Sequence, residues 1–251
     1  MKQNNKNIPK LAILGYGSMG KEVEIIAKNR KITVTDIFDI DKPINPKENY
    51  YFDIAIDFTE PDAVLNNVKI LTKMKKNIVI GTTGWKKDFT KVKNIIKRAN
   101  TGLVYASNFS IGMQMFFKTV DFISKQVNGT DEYDIFLHEI HHMRKKDSPS
   151  GTALTLAEMI LKNVKRKKKT RTDRIDGTIK NSELHVSSTR GGEVTGTHTV
   201  YLDSFADTIE LTHRAKNRSG FALGAVEAAL WLHNKKGLYD FRDIIDDILD
   251  I

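Results

Sequence analysis

The stretch Leu11-Ala-Ile-Leu-Gly15-Tyr-Gly17-Ser-Met-Gly20-Lys21 decides how the rest of the chain is read. Four apolar residues bounded by a glycine have the length and composition of a buried strand, and helical spacing follows. Between them lies G-x-G-x-x-G, in which the first glycine permits a tight turn, the second lets backbone approach a pyrophosphate, and the third lets helix and strand pack closely. A helix beginning there aims its free N–H groups at an anion. Gly15, Tyr16, Gly17, Ser18, Met19 and Gly20 are therefore candidate dinucleotide contacts. Asp36, about 20 residues on and expected at the end of a second strand, has the place of an acid that accepts from ribose hydroxyls, although Asp39 and Asp41 lie nearby.

Working outward, strand-like runs at residues 32–34, 54–58, 78–80 and 103–106 alternate with helical spacing, as a parallel α/β sheet requires. Pro61 suits a helix start, and residues 38–50, with two prolines, read as a loop. Gly81, Thr82 and Thr83 follow the fourth strand and Ser107, Asn108, Phe109 and Ser110 the fifth. Loops at strand carboxyl ends line the ligand crevice of such sheets, so both groups are expected at the cofactor. Beyond residue 111 the pattern changes to one helix and strand-like segments at 134–142, 183–190, 193–203 and 207–213. The last three, joined by short turns including Gly191-Gly192, predict an antiparallel meander. The expected fold is α/β: a Rossmann-type parallel-sheet domain (1–108 plus 219–251) with an inserted α+β domain (109–218) built on a mixed or antiparallel sheet.

Composition bounds the function. No cysteine is present, which excludes disulfides and thiolate metal sites, and no apolar run approaches the ~20 residues that span a bilayer. The polar opening MKQNNKNIPK lacks the apolar core of a leader, so a cytoplasmic location and no membrane partner are expected. Of the net charge of +9, a run from Lys162 to Arg174 holds eight basic residues and one acid. It reads as a solvated helix end and loop, and without a helix-turn-helix, zinc-finger or RNP pattern no specific nucleic-acid partner is expected.

The densest chemistry is Glu139-Ile-His141-His142-Met-Arg-Lys145-Lys-Asp147-Ser-Pro-Ser150-Gly151-Thr152-Ala153. N–H groups of Gly151 and Thr152 at a helix start, with Lys145 adding positive charge, form a candidate carboxylate cradle, and a histidine is suited to proton transfer near neutral pH. His138-Glu139-Ile-His141-His142 also spells H-E-x-x-H, a zinc signature that requires a helix. Residues 134–142 read as a strand, which puts His138 and His142 opposite Glu139 and His141, so no metal centre is expected.

Taken together, the glycine loop, DFTEP (57–61), GTTGW (81–85), SNFSIGM (107–113), EIHHMRKKDSPSGTA (139–153) and LTHRAKNRSGFALGAVEAALWL (211–232) resemble the ordered motifs of the 4-hydroxy-tetrahydrodipicolinate reductase family, over nearly the whole chain. The resemblance implies a homotetramer assembled through the inserted domain that reduces a cyclic dicarboxylate with NADH or NADPH in lysine and diaminopimelate synthesis. It also implies His141 as proton donor and acceptor, Lys145 as second catalytic donor, and His142, Gly151 and Thr152 as substrate contacts. The glycine loop is one residue shorter than in many members, and Ile37 stands where many carry arginine after the acid. Another two-domain nicotinamide oxidoreductase and a non-catalytic cofactor sensor are the alternatives that the residues alone leave open.

Overall fold

The computed structural model describes residues 8–251, so the polar opening read as lacking a leader lies largely outside the described residues. In chain order the elements are β1 (Leu11–Leu14), α1 (Ser18–Asn29), β2 (Val34–Phe38), β3 (Ile54–Asp57), α2 (Pro61–Lys73), β4 (Asn77–Ile80), α3 (Phe89–Ala99), β5 (Gly102–Tyr105), α4 (Ile111–Val127) and β6 (Asp134–His141). They continue with α5 (Gly151–Asn163), β7 (Lys169–Arg171), β8 (Glu183–Arg190), β9 (Thr197–Asp203), β10 (Thr208–Arg214), α6 (Ser219–Leu232), β11 (Gly237–Asp240) and α7 (Ile245–Leu249). The chain divides into two compact units, Met1–Ile111 with Arg218–Ile251, and Gly112–Asn217.

In the first unit six parallel strands run in the order β11-β5-β4-β3-β1-β2. Their nearly unbroken apolar sequences follow from burial on both faces. Leu11, Ile13, Ile54, Ile56, Val79 and Val104 pack with residues of α1 and α6, whereas Ala12, Leu14, Ala55, Ile78, Ile80 and Leu103 pack with residues of α2 and α3. Because β1 has β2 on one side and β3 on the other, the chain order reverses at β1, and the glycine loop leaves the sheet at that switch point.

The second strand differs from the expected 32–34. It runs to Phe38, whose carbonyl accepts from the N–H of Gly15 at 2.9 Å. Ile32 is instead a buried core residue of the turn that precedes the strand. Asp36 consequently sits within the strand, opposite Ala12, and Asp39 is the acid just past the strand end.

The second unit holds a five-stranded mixed sheet in the order β10-β9-β6-β8-β7. The expected meander is only half present. β9 and β10 are antiparallel neighbours, but β6 lies between β8 and β9, parallel to β8 and antiparallel to β9. The Gly191-Gly192 segment is therefore no hairpin turn. It carries the chain around the end of β6, where the N–H of Gly191 donates to the carbonyl of His141 and the N–H of His142 to that of Val194, at 3.0 and 2.8 Å. One face of this sheet buries Ile135, Leu137, Val186, Val200 and Leu202 with residues of α4 and α5.

The basic run is not a solvated loop throughout. Arg166 donates to the carbonyls of Val127 and Thr130 at 3.1 Å and to that of Tyr133, tying down the segment between α4 and β6. Lys167, 3% exposed, donates to the Glu183 carbonyl at 2.9 Å and pairs with Asp134 at 2.6 Å. Lys162, Lys165 and Lys168 remain exposed. Among the described residues no helix is long and apolar enough to cross a membrane.

Candidate active site

The candidate site residues fall in two sets, one in each unit. In the first, Gly15 has φ +84°, and a Cβ there would lie 2.5 Å from the carbonyl oxygen of Phe58. A Cβ at Gly20 would lie 2.1 Å from the carbonyl oxygen of Gly15, so this loop requires glycine at both places. At Gly17 a Cβ would meet nothing within 4 Å, and Gly17 and Ser18 are exposed. Gly17 is also the N-cap of α1, with no side-chain cap and no acid in the first turn. An exposed helix start whose N–H groups take no side-chain cap fits a pyrophosphate. Tyr16 and Met19 turn against the apolar core, and the Tyr16 hydroxyl donates to Glu24.

The other loops divide between exposed and buried residues. Gly81 makes room for the Phe58 ring, which a Cβ would meet at 2.1 Å. Thr82 is buried, and its hydroxyl donates to Asp57 Oδ1 and to the Thr59 carbonyl, both at 3.1 Å. It holds the loop from within, while Thr83 is exposed. Phe109 is also core: its ring packs on Phe241 with centroids 4.8 Å apart, and its carbonyl lies over Gly224, where a Cβ would stand 1.7 Å away. Ser107 is exposed and Asn108 half-buried, and the Asn108 side chain accepts from the Ser110 N–H at 2.9 Å.

In the second unit the strand pleat puts Glu139 and His141 on the buried face of β6 and His138 on the other, where Nδ1 of His138 meets the Ser187 hydroxyl at 2.7 Å. The zinc-protease arrangement, which needs a helix, is absent. Glu139 is 0% exposed. Its Oε1 accepts from Arg190 at 2.8 Å and from the Ser150 N–H at 3.3 Å, and its Oε2 meets Nδ1 of His141. Burial opposes the charge, but His141 and Arg190 outweigh it and hold the carboxyl far below the usual range. Glu139, His141 and His198 bring ligand-type atoms within 4.8 Å of one another, yet the Arg190 guanidinium already neutralises the carboxylate that a metal ion would need.

His198 is pushed down to about 3, first by burial and then by His141. Its Nε2 meets the Ser150 hydroxyl at 3.1 Å, and that oxygen caps α5 by accepting from Ala153 N at 3.2 Å. Cap and histidine thus share one atom. Gly151 opens α5 with free space where its Cβ would be. Lys145 pairs with Asp147 at 2.8 Å, and burial of Asp147 is outweighed by Lys145, so the carboxyl stays below its ordinary value. His142 is half-buried.

Sequence reasoning on the site passed over Glu139, Arg190 and His198. Glu139 had a readable signal, since alternation already placed it on the His141 face. Arg190 and His198 had none, because strand pairing brings them from about 50 residues away.

A glycine turn at the switch point of a parallel sheet, with a buried histidine–carboxylate cluster in a second unit, defines a two-domain oxidoreductase of the nicotinamide-dinucleotide class. Family models narrow this: the N-terminal region of dihydrodipicolinate reductase matches residues 9–109, and its C-terminal region matches 112–245. The chain belongs to the dihydrodipicolinate reductase family. It is 40% identical over 238 residues to the 4-hydroxy-tetrahydrodipicolinate reductase of Christiangramia forsetii, covering 95% of this chain and 98% of the relative. It is 39% identical over 212 residues to that of Buchnera aphidicola subsp. Acyrthosiphon pisum, covering 82% and 77%. A solved dipicolinate-bound dihydrodipicolinate reductase from Paenisporosarcina sp. TG-14 shares the fold at TM-score 0.75 and 21% identity, covering 94% and 99%.

Proposed function

We propose that the chain reduces 4-hydroxy-tetrahydrodipicolinate to tetrahydrodipicolinate with NADH or NADPH, in the lysine and diaminopimelate pathway of the cytoplasm. Identity of 40% across 95% of the chain supports the activity, and the observation that carries the site is His141 packed on His198, whose Nε2 meets the Ser150 hydroxyl that caps α5, with Lys145 close enough to act on His198. In this reading Gly15 to Gly20, Thr83 and the 107–110 loop hold the dinucleotide, with Gly81, Thr82 and Phe109 supporting those loops from behind. Ribose recognition falls to Asp39 rather than Asp36, because Asp39 is the acid at the strand end. Its neighbour Ile40 is apolar and 90% exposed, while the exposed Lys42 is bridge-paired with Asp39 and offers a 2′-phosphate a cation there. Lys42, and Lys21 at the head of α1, are the candidates to offset repulsion, and both coenzymes are expected to serve.

A nicotinamide held by the Gly15 to Gly20 loop would supply a hydride to a ring carbon of the substrate, with the 4-hydroxyl leaving as water and one proton consumed. The chain's own share is to place the dicarboxylate and move that proton. Lys145, His142 and the N–H groups of Gly151 and Thr152 bind carboxylate oxygens, and His141 passes the proton. We assign the residues around α4, β6 and α5 to a substrate-binding domain that also assembles a homotetramer. No specific nucleic acid enters this reading.

The test is oxidation of each coenzyme with and without the substrate, in the unsubstituted chain and three variants. His141→Gln is expected to lower kcat about 100-fold with coenzyme binding retained. Lys145→Ala should lower kcat and raise KM together, while Lys146→Ala stays near the parent. Ordinary turnover in both His141→Gln and Lys145→Ala would sink the assignment.

A further inference from the structure

We infer that Glu139, braced by Arg190, is the positioning residue for His141: it holds the imidazole with Nδ1–H toward the carboxylate and leaves Nε2 as the edge that exchanges the proton. This rests on the reading of His141 as the proton-transferring group.

The pleat of β6 fixes the starting geometry, since residues two apart share a face about 7 Å apart along the strand. Glu139 and His141 then meet beneath the sheet without any turn or loop to adjust. A carboxylate with no exposure to water is costly unless its oxygens are satisfied. Oε1 is, by Arg190 at 2.8 Å and the Ser150 N–H at 3.3 Å. Nδ1 of His141 has no hydrogen-bond partner elsewhere among the described residues and is in direct contact with Oε2 of Glu139, whose carboxylate the Ser188 hydroxyl on β8 also approaches. Only a hydrogen on Nδ1 reconciles the two, because an acceptor-only carboxylate cannot satisfy a nitrogen lone pair.

Arg190 is placed to brace the carboxylate rather than to compete for the imidazole. It stands opposite His141 in the parallel β6–β8 register, reaches back to Glu139, and is itself anchored by donating to the Asp147 carbonyl at 2.6 Å. The Nε2 edge of His141 looks onto Gly196, where a Cβ would lie 2.9 Å from Nε2, so only a bare α-carbon leaves this edge clear. The remaining charged or titratable neighbours are His198 on β9, His213 on β10, and Lys145 and Asp147 between β6 and α5. The burial that keeps His198 neutral prevents a second imidazolium from competing for Glu139.

The proton balance follows. Protonated His141 releases the Nε2 proton to the substrate and becomes the neutral Nδ1–H tautomer, which Glu139 already stabilises. A proton from solvent restores the cation. No ring flip or tautomer exchange is needed within a turnover.

The experiment is long-range proton–nitrogen NMR of the histidine rings in the uniformly 15N-labelled full chain, paired with steady-state kinetics. Neutral His141 is expected as the Nδ1–H tautomer. In Glu139→Gln the amide keeps an oxygen for Arg190 but turns an NH2 toward Nδ1, so the tautomer should switch to Nε2–H. Its kcat should fall about 10-fold or more while KM stays within about 2-fold. Glu139→Asp should keep the Nδ1–H tautomer and recover part of kcat. An Nε2–H tautomer in the unsubstituted chain overturns the inference, as does a Glu139→Gln spectrum unchanged at His141. The unsubstituted spectrum decides the matter even where Glu139→Gln does not fold. A chain that fails to reduce the substrate refutes the functional reading, and the tautomer still tests the positioning role.

Discussion

Replacing Asp57 with alanine should loosen the first unit more than any other single polar change there. The residue ends β3 with 0% exposure, and its carboxylate accepts from Thr59 N at 2.9 Å, Thr59 Oγ1 at 2.6 Å, Asn67 Nδ2 at 2.9 Å and Thr82 Oγ1 at 3.1 Å. It thereby pins the turn into α2 and the loop after β4 to one point. Alanine removes this acceptor, but Thr82 keeps the Thr59 carbonyl at 3.1 Å and Asn67 keeps Thr59 Oγ1 at 3.2 Å, so the loss is that of hydrogen bonds to a buried charge, about 1.5–3 kcal/mol. At about 3 °C per kcal/mol for a chain of this size, the melting midpoint should fall by about 5–9 °C. Asp57→Asn retains the size and one acceptor oxygen, and Asn67 can invert its amide to meet the new NH2, so about a third of that loss is expected. The assay is thermal unfolding by circular dichroism at one scan rate, with coenzyme titration of both variants. Coenzyme affinity should fall along with the midpoint, because the loop that carries Thr83 loses its anchor. A midpoint for Asp57→Ala within about 2 °C of the parent would refute the assigned role, since losing even one hydrogen bond to a buried charge costs more.

Three further expectations concern other parts of the chain. Asp39→Ala should weaken NADH more than NADPH in binding titrations, whereas Asp36→Ala, whose carboxylate accepts from Thr35 Oγ1 at 2.7 Å, should change both little; the reverse order would return the ribose to Asp36. Arg166→Lys, unable to span three carbonyls, should cost about 1–3 kcal/mol in urea unfolding, while Lys168→Ala on the exposed part of the run costs nothing measurable. His198, depressed in the fold from its ordinary 6.5 to about 3, binds its proton more readily unfolded, so stability is full above pH 6.5 and is lost as pH falls toward 3. His198→Gln should therefore flatten the stability profile between pH 6.5 and 4.5 by up to about 1.4 kcal/mol per pH unit, apart from a smaller share that His213 contributes in the same direction.

How much was readable depended on how local the determining contacts are. The strand–glycine–helix unit at Gly15 to Gly20 is legible because Gly20 meets backbone five residues away and Gly15 meets the chain just past the adjoining strand, while Gly17 stands open at the helix start. The end of β2 was missed because Asp36 looks like a strand terminus by composition, while the pairing of Phe38 with Leu14, visible only across strands, carries the strand further. The basic run misled for a related reason. Lysine and arginine at a helix end read as solvated, but the acceptors for Arg166 are carbonyls exposed by the chain break between α4 and β6, more than 30 residues earlier.

The second sheet shows where such reading stops. Glycines between two strand-like runs favour a hairpin, and nothing local distinguishes a hairpin from a connection that passes around a third strand. Inserting β6 between β8 and β9 exchanges one direct pairing for two, and it brings the two dispersed partners of Glu139 and His141 to the same strand. Arg190 stands across from His141 on one side, and His198 across from Glu139 on the other. A one-residue slip of β8 would turn Arg190 to the opposite face and leave Glu139 buried without its guanidinium, and a slip of β9 would turn His198 away in the same manner. The mixed topology is thus what sets the electrostatics of the histidine, and the register of β8 carries the charge compensation on which that buried carboxylate depends.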